Sequence, residues 1–122
     1  MKTMANSTLS LNLVEGSVSF SFTREAAEQL QTEMTALLNR LKAVAAHASS
    51  STKSRPAPQE SMEFRHVGDV FLEIFCNPNI WATPFSAKVL VTLRDDRIRL
   101  TTEAELTRIL EDVHQFLEQT AE

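Results

Sequence analysis

The chain has 122 residues, 43% of them hydrophobic and 23% charged, and a formal net charge of -4. These values are typical of one globular domain, and the acidic balance excludes bulk attraction to nucleic acid or anionic lipid. With only two glycines, Gly16 and Gly68, the chain cannot build a glycine-rich phosphate-binding loop, so we expect no cofactor of that class. We also expect a cytoplasmic protein without a membrane segment, since no apolar run approaches a membrane span or a secretory signal and one cysteine cannot form an internal disulfide.

The first predicted unit is a β-hairpin. Apolar and polar residues alternate on both sides of Glu15 and Gly16, as they do in half-buried strands. A two-residue turn there would place Leu13 opposite Val18 and gather the apolar side chains on one face. Those side chains are Leu9, Leu11, Leu13, Val18, Phe20 and Phe22.

A long helix is predicted next, from a Thr23 cap through residue 48, because apolar residues recur at helical spacing. They are Ala27, Leu30, Met34, Leu37, Leu38, Leu41 and Val44. Residues 49–60, SSSTKSRPAPQE, show no such spacing and include two prolines. We therefore expect a flexible linker there, within a single domain that spans residues 1–122.

Strands are predicted for most of the next segment, and the chain ends in a helix. The predicted strands are residues 62–67, 70–76, 87–93 and 97–101, with a turn or bulge at Gly68 and Asp69. The last two form a hairpin about Asp95 and Asp96, with Leu93 opposite Ile98. Thr102 and Glu105 make a capping box for the final helix. Its core stripe is Leu106, Ile109, Leu110, Val113, Phe116 and Leu117.

These elements predict an α+β domain, with an antiparallel sheet of about five strands and both amphipathic helices on one face. The two hairpins align with each other, Leu13 on Leu93, and so do the two helices, Leu30 on Leu106. One interpretation is an internal repeat of hairpin-helix units. The other is that a common pattern has recurred without common origin.

The segment FCNPNIWATPF, residues 75–85, holds the single cysteine, the single tryptophan and two of the four prolines. Its prolines interrupt strand pairing, so we interpret it as a wide connection between strands. Large apolar side chains in a connection pack either on the domain's own core, as a plug, or on another chain. The second interpretation predicts an aromatic protein interface formed by Phe71, Phe75, Ile80, Trp81 and Phe85.

Four arginines are predicted to gather on the polar face of the sheet near the second hairpin. They are Arg65, Arg94, Arg97 and Arg99. One hypothesis is a patch for an anion or an acidic partner, and the alternative is a mixed-charge face, since Glu73, Asp95 and Asp96 lie nearby in sequence. No aromatic-rich binding motif accompanies the arginines, so nucleic acid is not an expected partner.

The chain offers little for catalysis. His114 lies three and four residues from Glu111 and Glu118, but exposed helix faces share that pattern and no metal-binding spacing accompanies it, so we predict no metal site. Cys76 is interpreted as a buried small hydrophobe. The alternative is a small enzyme or a ligand- or anion-binding domain that uses Cys76, His66 and the arginines.

The stretch VGDVFLEIFCNPNIWATPFSAKVLVTLRDDRIRLTTEAELTRILEDV resembles a family of small cyanobacterial proteins through FCNPNIWATPF and RDDRIRLTTEAEL. That resemblance implies no activity and no catalytic residue. The layout of strands followed by a terminal amphipathic helix is similar to the COMM domain, a dimerising interaction module. We therefore predict a non-enzymatic interaction or adaptor module that binds protein partners and forms a homodimer through the aromatic strand and the connection.

Overall fold

The computed structural model describes residues 7–48 and 58–121, so most of the predicted linker, residues 49–57, lies outside the described residues. The elements in chain order are β1 (Ser7–Asn12), β2 (Ser17–Phe22), α1 (Arg24–Ala48), β3 (Met62–Val67), β4 (Phe71–Cys76), β5 (Lys88–Arg94), β6 (Arg99–Glu105) and α2 (Leu106–Gln119). One turn of 3-10 helix, Pro78–Ile80, lies between β4 and β5. The α+β class is confirmed.

One core joins the four-stranded sheet to both helices. Alternate side chains of β4 and β5 point into it, and the apolar stripes of α1 and α2 fill it from the other side. The innermost of these residues are Leu30, Met34, Leu72, Ile74, Val89, Val91, Ile109 and Val113. The opposite face of the four-stranded sheet is covered by neither helix.

The prediction of one sheet of about five strands is wrong, because the strands form two antiparallel sheets, β1-β2 and β3-β4-β5-β6. A single backbone hydrogen bond among the described residues joins the first hairpin to β6, from Val14 N–H to the Glu103 carbonyl (3.2 Å). The Asn12 backbone N–H donates instead to the Asp112 carboxylate of α2 (2.7 Å). Because the Asp112 side chain accepts the hydrogen bond that a neighbouring strand would otherwise accept from Asn12, the hairpin packs along α2 and does not extend the sheet.

The predicted register of the first hairpin is wrong by two residues. Leu11 pairs with Val18, and the loop that joins the strands runs from Leu13 to Gly16. The Leu13 N–H donates to the Gly16 carbonyl (2.9 Å), and Gly16 has a φ of 98°, which a residue with a side chain rarely adopts. Because the slip is an even number of residues, the predicted apolar face is preserved.

The second hairpin differs from its prediction in the same way, since Leu93 pairs with Leu100 and not with Ile98. The Asp95 side chain closes this loop by accepting hydrogen bonds from the N–H groups of Arg97 (2.8 Å) and Ile98 (2.9 Å). These two bonds lower the pKa of the Asp95 carboxyl group, and the bond from Ile98 has the larger effect. The loop is therefore fixed by a local side-chain interaction that the alternating pattern does not reveal.

The two helices begin differently. The Thr23 cap is confirmed, because its hydroxyl accepts a hydrogen bond from the Ala26 N–H (3.1 Å). The capping box of α2 is wrong, since β6 continues to Glu105 and Thr102 pairs with Val91 inside the sheet. Glu105 precedes the helix and makes no side-chain capping bond. Strand pairing therefore takes residues that the local motif would assign to a helix cap.

Candidate interaction surfaces

The face of the four-stranded sheet that neither helix covers, here the outer face, carries an apolar cluster. Phe71 and Phe75 of β4 point to this face and are half-buried, and Leu90 of β5 is 42% exposed. Phe75 lies directly opposite Leu90 in the ladder, so their side chains are neighbours. Leu90 was missed as an interface candidate. Its signal was an apolar residue at a position of β5 where the alternation requires a polar one.

Phe71 lies toward the other end of the outer face, about 13 Å along the strand from Phe75. The Arg94 guanidinium lies over its ring, 4.3 Å from the ring centroid, in a cation–π contact. Val67 lies opposite Phe71 in the ladder and is exposed. The outer face therefore carries apolar side chains near both ends of β4, with Glu73 between them.

The four predicted arginines do not share one environment. Arg65 is bound by two carboxylates, Glu73 (2.7 Å) and Glu63 (3.5 Å), so its charge is locally balanced. Arg97 lies in the loop closed by Asp95. Arg94 and Arg99 are cross-strand neighbours. Within residues 7–48 and 58–121, neither Arg94 nor Arg99 forms an ion pair. The predicted anion patch therefore consists of Arg94 and Arg99 alone.

The connection after β4 is held by asparagine side chains. The Asn77 Oδ1 accepts hydrogen bonds from the Asn79 backbone N–H (3.0 Å) and from its Nδ2 (2.9 Å). The Asn79 side chain in turn pairs with the Gln59 backbone through two hydrogen bonds of 2.8 Å. This fixes the connection to the residues that precede β3. Sequence reasoning did not identify this contact between distant residues.

The three large apolar residues of the connection have different environments. Trp81 is half-buried against the core, and its buried indole N–H has no hydrogen-bond partner in the described part of the chain. Ile80 and Phe85 are 67% and 83% exposed. Trp81 thus packs as the plug interpretation describes, whereas Ile80 and Phe85 leave apolar surface in solvent.

Phe85 borders an apolar groove of about 470 Å³ between the two helices. The lining residues are Leu38, Lys42, Ala45, Pro84, Phe85, Thr107 and Leu110. Because the helices cover the inner face of the sheet, this groove and the outer face lie on opposite sides of the domain. The five predicted interface residues therefore do not form one continuous surface.

Cys76 and His66 do not meet in one site. Cys76 pairs with Met62 and His66 with Leu72, so the two side chains are about 13 Å apart along the sheet. The His66 ring packs instead against Phe22, with 5.0 Å between ring centroids. Burial raises the pKa of the Cys76 thiol from 9.0 to about 11, and the Trp81 side chain acts in the opposite direction. A thiol in this state is a poor nucleophile at neutral pH.

Cys76 should therefore resist thiol reagents in the folded protein. Native protein at pH 7 should react with a maleimide or disulfide reagent at least about 100-fold more slowly than protein in denaturant, because the thiol is both buried and protonated. The folded pKa lies above the ordinary value, so the folding free energy from this group is complete below pH 9 and is lost as the pH rises toward 11.

Urea titrations at pH 8 and pH 10.5 would measure that loss, and Cys76→Ala should remove the part that depends on this thiol. Rapid labelling of the folded protein at pH 7 would contradict the assignment and support the alternative of a reactive cysteine.

Comparisons of the chain with protein-family profiles, with curated proteins and with solved structures found no match. In the part of the chain that the structure describes, neither helix is long and apolar enough to cross a membrane.

Proposed function

We propose that this chain is a non-enzymatic protein-interaction module. It self-associates, and it binds a separate protein partner through the outer face. One observation carries the proposal: the outer face presents Phe71, Phe75 and Leu90, and neither helix covers it. Aromatic and arginine side chains on an open surface are typical of the energetic centres of protein interfaces. We place the module in the cytoplasm, on the composition and the single cysteine.

The chemistry of the partner follows from the charges on this face. Arg94 and Arg99 lie in the same row as Phe71 and make no ion pair within the described residues. A partner that complements the row has an apolar surface flanked by carboxylates. The COMM-like layout also favours an interaction module, and that resemblance stays a prediction.

The test is a pair of substitutions that remove apolar area without reaching the core. Phe75→Ser with Leu90→Ser should abolish capture of the partner from a native lysate, because the two side chains are neighbours in the ladder. Arg94→Glu with Arg99→Glu should weaken the same capture, and added salt should weaken it in the wild type. Crosslinking and mass spectrometry would identify which captured proteins are lost.

Ile98→Ser is the matched control, because Ile98 is an exposed apolar residue in the loop between β5 and β6. It should leave capture unchanged. Partners that bind the serine pair as well as they bind the wild type would contradict the assignment of the outer face.

A further inference from the structure

The strand β3 forms an edge of the four-stranded sheet. Within residues 7–48 and 58–121 it pairs with β4 alone, whereas the opposite edge strand, β6, receives the Val14 hydrogen bond from the first hairpin. An open groove of about 360 Å³ separates α1 from β3 and is lined by Gln29, Thr32, Glu33, Glu63, Phe64 and Arg65. Among the described residues, the backbone groups of β3 that point away from β4 have no strand partner, and such groups can pair with another strand.

The charged side chains of β3 complement those of a second, antiparallel copy of β3. Glu63 and Arg65 are exposed on the outer face, two residues apart and opposite in sign, and they form an ion pair of 3.5 Å within the chain. In an antiparallel pair of two identical strands, each residue faces a residue of the same face. If the pair is centred on Phe64, Glu63 of one copy lies opposite Arg65 of the other, and this occurs twice by symmetry.

The competing registers are less favourable. A pair centred on Arg65 would place two arginines opposite each other, and a pair centred on Glu63 would do the same with two glutamates, which destabilises cross-strand pairs. Of the three registers centred on Glu63, Phe64 or Arg65, the alternation of charge therefore favours the one centred on Phe64.

We propose that a second copy of the chain binds along β3, antiparallel and centred on Phe64, so that two four-stranded sheets join into one. The inference rests on the self-association in the proposed function and names the surface that carries it. A two-fold axis perpendicular to the sheet keeps both outer faces on the same side. The dimer thus presents two copies of the Phe71, Phe75 and Leu90 cluster to one side, where a partner binds.

The test is charge reversal followed by mixing. Glu63→Arg places arginines opposite arginines, and Arg65→Glu places glutamates opposite glutamates, so each variant alone should dimerise at least about tenfold more weakly than the wild type. An equimolar mixture of the two variants pairs arginines with glutamates at both positions. The mixture should regain dimer affinity near that of the wild type, measured by sedimentation or light scattering.

Glu103→Arg is the control, because Glu103 is an exposed carboxylate on β6, far from this edge, and its reversal should leave the dimer unchanged. Arg65 also binds Glu73 within the chain, so Arg65→Glu must be shown to be folded by circular dichroism. A second measurement needs no variant. Amide exchange of Met62–Val67 in the wild type should slow as the protein concentration rises through the dimerisation range.

Each outcome decides between the two proposals. A wild-type dimer that both charge reversals leave intact, with exchange at β3 independent of concentration, would overturn the β3 interface and leave self-association through another surface. A wild type that stays monomeric at the highest accessible concentration would overturn the β3 interface together with self-association. The capture experiment with Phe75→Ser and Leu90→Ser would still decide partner binding by the outer face.

Discussion

Replacing Phe22 by alanine should lower the free energy of unfolding by about 3–5 kcal/mol, the usual cost of removing a buried phenylalanine. Phe22 is 1% exposed and lies where β2, β3 and α2 meet. Its ring centroid is 5.0 Å from that of His66 and 6.2 Å from that of Phe116, both in edge-to-face contacts. The variant would therefore lose the ring contacts that join the first hairpin to β3 and α2.

Urea denaturation monitored by circular dichroism would measure this change. Ser21→Ala is the matched control, because Ser21 is the neighbouring exposed residue of the same strand. It should change stability by less than about 0.5 kcal/mol. A loss below about 1 kcal/mol for Phe22→Ala would show that the hairpin is not docked through this ring.

The parts of the fold that follow from local burial could be predicted from the sequence. The span of α1, the strand β3 and the apolar stripe of α2 all match their predictions, because side chains that face a core recur at the period of the helix or strand. The turn registers could not be predicted in the same way. They depend on the φ of Gly16 and on the hydrogen bonds of Asp95, which alternation does not encode.

The division into two sheets could not be predicted either. It depends on the contact between Asn12 and Asp112, which are 100 residues apart in the chain. A hydrophobic pattern tells which face of a strand is buried but not which neighbour covers it. The hairpin β1-β2 meets α2 with its apolar face, and nothing in its own sequence distinguishes a helix from a further strand as that neighbour.

The candidate site shows the same limit. The sequence identified large apolar residues near Trp81, and two of them, Ile80 and Phe85, are exposed. It could not show that Phe85 lies beside the helices whereas Phe71 and Phe75 lie on the outer face. That distinction depends on the side of the sheet to which the connection returns after β4. The order of residues along the chain does not determine that side, because the same residues could follow either face of the sheet.

Replacing Asp112 by alanine should lower the free energy of unfolding by about 2–4 kcal/mol. The carboxylate is 7% exposed and accepts two hydrogen bonds from Asn12, from the backbone N–H (2.7 Å) and from the side-chain Nδ2 (2.8 Å). Removing the carboxylate leaves both partly buried donors unpaired. An unpaired buried donor costs more free energy than an ordinary hydrogen bond contributes to stability. Amide exchange in β1 and β2 should accelerate more than in β4 and β5, because the bond anchors the hairpin to α2.

Two further variants separate the hydrogen bonds from the packing of the side chain. Asp112→Asn keeps one carbonyl acceptor and nearly the same volume, so it should cost less than Asp112→Ala. Asn12→Ala removes the Nδ2 donor and leaves the backbone bond, and the double variant with Asp112→Ala should be less destabilised than the sum of the two single changes. Additive losses, or a loss below about 0.5 kcal/mol for Asp112→Ala, would mean that the hairpin is held to α2 by apolar contacts alone.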